Sequence, residues 1–170
     1  MPNLLGRARV EQRPTSRLPL RAAGLALLSG VRSTAGPAFV VRAARRGSLP
    51  GLRGTVFERL GSRRVANALL LAMVGEMVAD KTPLVPPRTA PGPLLGRASA
   101  GALTGAALFA AGGRRSTVGA VLGALSAAAG AFAGERLRSR AGRTALPDLV
   151  PALLEDAVVL WAGTRLSRNS

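Results

Sequence analysis

The feature that most constrains this chain is an apolar stretch, residues 65–83, that carries two carboxylates near its end. Nearly unbroken apolar residues run into Glu76 and Asp80, which lie four residues apart and therefore share one face of a helix. The run then stops at Lys81 and Pro83. Carboxylates inside an apolar helix are costly in lipid and indicate a functional site by default. The alternative is a buried helix of a soluble protein whose last turn reaches water.

The eight acidic residues are distributed unevenly along the chain. Glu11 and Glu58 lie in basic polar stretches, whereas the other six lie within apolar segments or at their ends. In a soluble helical domain we would expect acids to be spread over exposed faces with partners four residues away. Here the arginines occupy the loops and the acids lie in apolar sequence. This pattern favours a membrane bundle with an internal polar site.

The composition limits both the packing and the chemistry. The 170 residues predict one domain, and with 48% hydrophobic residues, 3% aromatic residues and 21 glycines its helices should approach each other closely. The absence of Cys and His excludes disulfides, the usual zinc sites and Ser-His-Asp or Cys-His catalysis. Carboxylates could hold Mg²⁺, but no nucleophile can be identified. The sequence therefore predicts no enzyme, no metal and no cofactor.

The net charge of +16 indicates an anionic partner, which could be nucleic acid or a membrane surface. Two observations argue against nucleic acid. One Trp and four Phe are available for stacking on bases, and the arginines lie between apolar runs rather than along one helix face. We therefore expect the lipid bilayer and its anionic headgroups as partners.

The chain is predicted to have one helical membrane domain, residues 18–166, between a disordered basic tail (1–17) and a short polar tail (167–170). Its first apolar region, residues 18–44, is interrupted near the middle. Gly30 is a plausible helix C-cap, Ser33 or Thr34 a plausible N-cap, and Pro37 fits a first helical turn.

These signals predict two half-helices, residues 20–29 and 35–44. Each would be about 15 Å long, which is half of a hydrocarbon core of about 30 Å. Arg32 falls in the break, next to Ser33 and Thr34. A guanidinium beside a helix N-terminus and two hydroxyls is suited to bind an anion. The alternative is that Arg32 pairs internally with Glu76 or Asp80.

About four further apolar helices are expected after this broken region. The sequence indicates them at residues 65–80, 94–111, 117–134 and 146–163, the last with Glu155 and Asp156 in its middle. Glycines four residues apart predict helices that touch along their backbones. These pairs are Gly101 and Gly105, Gly119 and Gly123, and Gly130 and Gly134.

Loop charge gives an expectation for the path of the first region. If that region crosses the membrane fully, the arginines divide almost equally between the two sides. If it turns back as a re-entrant hairpin, most arginines lie on the side of the N-terminus. The hairpin therefore restores the usual excess of positive charge inside the cell.

Four elements of the sequence resemble a known family. They are Ser29-Gly-Val-Arg-Ser-Thr-Ala-Gly-Pro37, Gly75-Glu-Met-Val-Ala-Asp-Lys-Thr-Pro83, Pro87-Arg-Thr89 and Leu154-Glu-Asp156. Together they are similar to the bacterial membrane proteins catalogued as domain of unknown function 4126, over about residues 20 to 163. The resemblance implies a small multi-pass inner-membrane protein and no established activity. The residues that match the family are Glu76, Asp80, Lys81, Pro83, Glu155 and Asp156.

The sequence thus predicts an all-α membrane bundle in the bacterial inner membrane that is transporter- or channel-like. Its hypothetical charged site would bind a cation, a proton or a small charged solute. The residues of that site are Arg32, Ser33, Thr34, Glu76, Asp80, Lys81, Glu155 and Asp156. One alternative is a scaffold that binds partner helices, a second copy of the chain or anionic lipid. Another is a soluble basic helical domain.

Overall fold

The computed structural model describes residues 17–79 and 89–141, together with the isolated residues 157, 161, 164 and 165. Within these residues the chain is helical and has no strand, which confirms the all-α class. The five α-helices are α1 (Leu18–Val31), α2 (Ala35–Arg45), α3 (Arg63–Ala79), α4 (Pro91–Ala111) and α5 (Ser116–Ala141). Two short 3-10 helices, Pro50–Leu52 and Glu58–Gly61, lie in the loop between α2 and α3.

The first apolar region is broken where the sequence predicts it. Arg32, Ser33 and Thr34 separate α1 from α2, and the predicted half-helices lie within the observed ones. The Arg32 amide donates to the Leu28 carbonyl oxygen at 2.9 Å and closes the last turn of α1. Thr34 occupies the N-cap position of α2, but its hydroxyl makes no capping hydrogen bond.

The chain turns back at this break. A Cβ added at Gly36, in the first turn of α2, would lie 2.9 Å from the carbonyl oxygen of Leu25 in α1. A continuous helix would separate these residues by about 16 Å, since each residue rises 1.5 Å. Phe39 of α2 also belongs to the same buried apolar cluster as Ala22 near the start of α1. The two half-helices therefore form a hairpin.

Contacts between helix ends fix the directions of the other helices. Leu18, at the start of α1, packs against Gly112 just after α4, and Gly51 packs against Ala111. The start of α5 follows directly, and Gly61, just before α3, lies near Ala44 of α2. We call this the basic end of the bundle, because it gathers these arginines: Arg17, Arg42, Arg45, Arg46, Arg53, Arg59, Arg63, Arg64, Arg114 and Arg115.

The opposite end of the hairpin holds the α1–α2 break. We call it the break end. Helix α4 begins on this side, so that Arg97 in its second turn reaches the carbonyl groups of α1. Helix α3 arrives on the same side with Glu76 in its last turn. The topology therefore brings two charged side chains of apolar helices to the one place where the backbone of α1 and α2 is interrupted.

The predicted glycine contacts hold α4 against α5. A Cβ at Gly101 of α4 would lie 2.5 Å from the Gly123 carbonyl oxygen of α5, and Gly105 packs in the same way against Gly119. Gly130 of α5 packs against Leu27 of α1. Because glycine has no side chain, the backbones come into direct contact.

The interpretation of Gly30 as a C-cap is wrong. Helix α1 continues through Gly30 to Val31, and the cap residue is Arg32 with extended backbone dihedrals. A Cβ at Gly30 would lie 2.5 Å from the Ala131 amide nitrogen and 2.8 Å from the Gly130 carbonyl carbon. Glycine is therefore needed at this position because α5 passes close by, and not because the helix ends there.

Two helices of the described part are long and apolar enough to cross a membrane, Pro91–Ala111 and the Ser116–Leu137 part of α5. The half-helix Leu18–Val31 is apolar but shorter. The sequence predicts about four further apolar helices after the broken region, and two reach that length and composition. The predicted helix at residues 146–163 and both tails lie wholly or largely outside the described residues.

Candidate functional site

The candidate site is the polar junction at the break between α1 and α2. An interrupted helix leaves carbonyl groups without partners at the end of α1 and amide groups without partners at the start of α2. The helix dipoles also make the end of α1 partly negative and the start of α2 partly positive. A buried break of this kind needs a cation on one side and an anion on the other.

Arg97 supplies the cation. Its Nη1 atom donates hydrogen bonds to the carbonyl oxygens of Gly30 and Val31, each at 2.9 Å. Both carbonyls belong to the last turn of α1, where no amide of the same helix can reach them. The Arg97 residue is only 6% exposed. The guanidinium therefore replaces the missing helical hydrogen bonds and places positive charge at the negative end of α1.

Glu76 supplies the anion. Its Oε1 atom accepts a hydrogen bond from the Ser33 amide at 3.1 Å, and its Oε2 atom accepts one from the Thr34 hydroxyl at 3.2 Å. Ser33 and Thr34 immediately precede α2, so the carboxylate lies at the positive end of that helix. The Glu76 side chain is 15% exposed.

The two charged groups also contact each other. Arg97 Nη2 lies 3.7 Å from Glu76 Oε1. One pair of side chains therefore joins four helices, since α3 provides the carboxylate, α4 the guanidinium, and α1 and α2 the helix ends. The Glu76 carboxylate therefore occupies an anion-binding site. That site is formed by the Arg97 guanidinium, the Thr34 hydroxyl and the Ser33 amide.

The structure brings together three of the eight predicted site residues, Ser33, Thr34 and Glu76. Arg32 lies at the break as expected and is partly exposed. The structure also brings Arg97, which is not among the predicted site residues, into contact with Glu76. The remaining four predicted site residues lie outside the described part of the chain: Asp80, Lys81, Glu155 and Asp156.

Arg97 is the site residue that the sequence prediction missed. A signal for it was present, because a single arginine within the apolar residues 94–111 needs a buried partner. The sequence could not name that partner, since Arg97 lies 66 and 67 residues from the two carbonyls that it binds. Residues 17–79 and 89–141 contain no group of three or more carboxylates that could hold a metal ion.

Comparisons with known proteins give no match to this chain, whether against family models, curated protein sequences or solved structures.

Proposed function

We propose that this chain is a small integral protein of the bacterial inner membrane, transporter- or channel-like, whose charged centre is the Glu76–Arg97 pair. The observation that carries the proposal is a buried pair of opposite charges at a broken apolar helix. In membrane transporters, interrupted helices of this kind bind charged substrates, because their ends present uncompensated backbone dipoles.

Exposed apolar side chains support a membrane location. Along α5 they recur on one face, and Leu125 in the middle is 66% exposed. Along α3, Leu71 is 73% exposed. Water would make such surfaces costly, whereas lipid solvates them well. The residues concerned are Leu70, Leu71 and Val74 of α3 and Val118, Val121, Leu125 and Phe132 of α5.

The position of the arginines supports an orientation with the basic end inside the cell. Ten arginines of the described residues gather at that end, and cytoplasmic loops of membrane proteins carry such an excess. The break would then lie within the outer half of the bilayer. Arg97 is in the second turn of α4, about 9 Å along the helix axis from its first residue. At this depth in the bilayer little water is available, so the ion pair between Arg97 and Glu76 takes the place of hydration.

The proposed mechanism follows from the presence of the Glu76 carboxylate in the anion-binding site. The carboxylate of Glu76 holds the position in which a small anionic solute could bind the Arg97 guanidinium and the start of α2. When the Glu76 carboxylate moves out of this position, its attraction to Arg97 is lost. A solute anion can then take its place, and the returning carboxylate would expel the solute, which a neutral glutamine could not do. The resemblance to domain of unknown function 4126 fits this location and remains a prediction.

The experiment uses the full chain in sealed liposomes. Membranes from the producing cells are first washed with alkaline carbonate, which we expect to leave the chain in the pellet. Fluxes of protons, chloride, nitrate and phosphate are then measured with dyes or ion-selective electrodes. We expect the substitution Glu76→Gln to abolish a flux that the unchanged protein supports. Glu58→Gln is the matched control, because that exposed carboxylate also accepts a backbone amide but lies in the basic loop.

Three results would contradict the proposal. One is recovery of the chain in the soluble fraction, which would favour a soluble basic helical domain. Another is a flux that Glu76→Gln leaves unchanged. Absence of every tested flux, together with loss of folding in Glu76→Gln, would show that the pair only stabilises the fold.

A scaffold function is the second candidate, and the exposed apolar face of α5 favours it. The glycine pairs cannot recruit a partner helix, since Gly101, Gly105, Gly119 and Gly123 already pack against each other within the chain. A partner would instead cover Val118, Val121 and Leu125. A purified protein that conducts nothing and co-purifies with one stable partner, or with a second copy, would select this function.

A further inference from the structure

A groove between α2 and α3 lies beside the polar junction and shares Thr34 with it. Its volume is about 440 Å³, within the usual range for small-molecule sites. Arg42, Arg45 and Arg46 line it where α2 ends, at the basic end of the bundle. Toward the break end its lining becomes apolar.

The polarity of the groove changes along its length. Val41 of α2 and Leu69, Leu70 and Met73 of α3 form its apolar walls. Thr34 closes it near the break. Between Thr34, just before α2, and Arg45 at its end, the groove follows the eleven residues of α2, or about 16 Å, which is close to half of a hydrocarbon core. A ligand that fills the groove would therefore carry a negative charge at the end next to the arginines. The rest of the ligand would be an apolar chain that extends through one leaflet of the bilayer.

We infer that this groove binds one anionic phospholipid, with its phosphate at Arg42, Arg45 and Arg46 and an acyl chain between α2 and α3. The positive charge of these arginines attracts a phosphodiester, and a guanidinium can donate two hydrogen bonds to its oxygens. Leu70, which lines the groove, is 56% exposed and lies on the face of α3 that we assign to lipid. Its basic end lies at the level that loop charge assigns to the inner headgroups, where anionic lipid is abundant. The inference rests on the proposed membrane location and does not depend on transport.

The test is lipid binding by the full chain, purified in an uncharged detergent and followed by native mass spectrometry. The probes are phosphatidylglycerol, phosphatidylcholine with the same acyl chains, and inorganic phosphate. We expect phosphatidylglycerol to bind with a stoichiometry of one and phosphatidylcholine to bind at least tenfold more weakly. Phosphate at millimolar concentration should not displace the lipid, because it offers no acyl chain.

Two variants test separately how the charged part and the apolar part of the groove contribute to lipid binding. Since each arginine near an anionic lipid contributes about 1 kcal/mol, Arg42→Gln with Arg45→Gln should weaken binding of phosphatidylglycerol about thirtyfold. The matched control is Arg53→Gln with Arg115→Gln, which removes two exposed arginines of the basic end that do not line the groove.

Ala38→Phe should block the acyl chain, because Ala38 lines the groove. Ala133→Phe on the exposed side of α5 is its control.

Circular dichroism and gel filtration establish that each variant is folded, and Arg42→Lys with Arg45→Lys should restore most of the binding. The inference is overturned if the two control arginines weaken binding as much as the two groove arginines, since the effect would then be general surface charge. It is also overturned if Ala38→Phe binds phosphatidylglycerol normally, or if phosphate alone displaces the lipid. A lack of ion flux would contradict the proposed transport and leave this result unaffected.

Discussion

The interface of α4 and α5 and the junction at the α1–α2 break are held together in opposite ways. Between α4 and α5, glycines bring two backbones into contact, so the interface depends on the absence of side chains. At the break, long charged side chains of Glu76 and Arg97 reach across to the ends of two other helices. Both lie inside the same bundle. An added side-chain atom would destabilise the α4–α5 interface, whereas the loss of a charge would destabilise the junction at the break.

The difference teaches where polar groups are needed in such a bundle. Away from their ends, α4 and α5 satisfy their backbone groups within each helix, and close packing is sufficient. The break exposes backbone groups that no neighbouring residue of the same helix can satisfy. Side chains from α3 and α4 must then supply the missing donors and acceptors. Substitutions can test each half of this comparison separately.

The largest effect is expected at the charged junction. Arg97→Gln removes the positive charge next to Glu76 and weakens the donors to the Gly30 and Val31 carbonyls. Breaking one side of a buried ion pair costs about 3–5 kcal/mol, because the other charge remains buried. We expect thermal unfolding in detergent, followed by circular dichroism, to show this loss. Arg136→Gln on the exposed part of α5 is the control and should change stability by less than about 0.5 kcal/mol.

A double-mutant cycle sharpens this prediction. Glu76→Gln combined with Arg97→Gln should be less destabilising than the sum of the two single substitutions, since neither charge is then left alone. Additive effects would mean that the 3.7 Å contact carries no coupling energy and that the two residues act independently on α1 and α2.

The second prediction concerns the glycine interface. Gly101→Ala places a Cβ 2.5 Å from the Gly123 carbonyl oxygen, so α4 and α5 must move apart at a cost of about 1–3 kcal/mol. Gly96→Ala in the same helix meets nothing within 4 Å. It should be neutral or stabilise the helix by up to about 1 kcal/mol, because alanine is the better helix former. Equal unfolding temperatures for the two variants would contradict the glycine contact.

The smallest expected effect tests one hydrogen bond of the junction. Thr34→Val keeps the shape of the buried side chain and removes the hydroxyl that donates to Glu76 at 3.2 Å. We expect a loss of about 1 kcal/mol, because Glu76 keeps the Ser33 amide and Arg97 as partners. Thr117→Val on the exposed face of α5 is the control. A change as large as that of Arg97→Gln would mean that Thr34 does more than bind this carboxylate.

Local sequence signals located the elements of the fold well. Pro37 and the Ser33–Thr34 pair indicated the start of α2. The glycine spacing indicated which faces of α4 and α5 would touch. All of these depend on residues within one or two helical turns. The role of Gly30 was assigned wrongly, because glycine is favoured both at a helix C-terminus and at a close helix crossing.

The sequence by itself determined that the first region breaks, that Glu76 lies in an apolar helix and that the arginines flank apolar segments. These properties follow from the order of side chains along the chain, which sets helix propensity and solvation locally. Only the tertiary structure decided that Arg97 binds the carbonyls of α1 and that Glu76 lies against the start of α2. Several buried cations could have satisfied the same helix end, and the choice among them depends on which helices pack together.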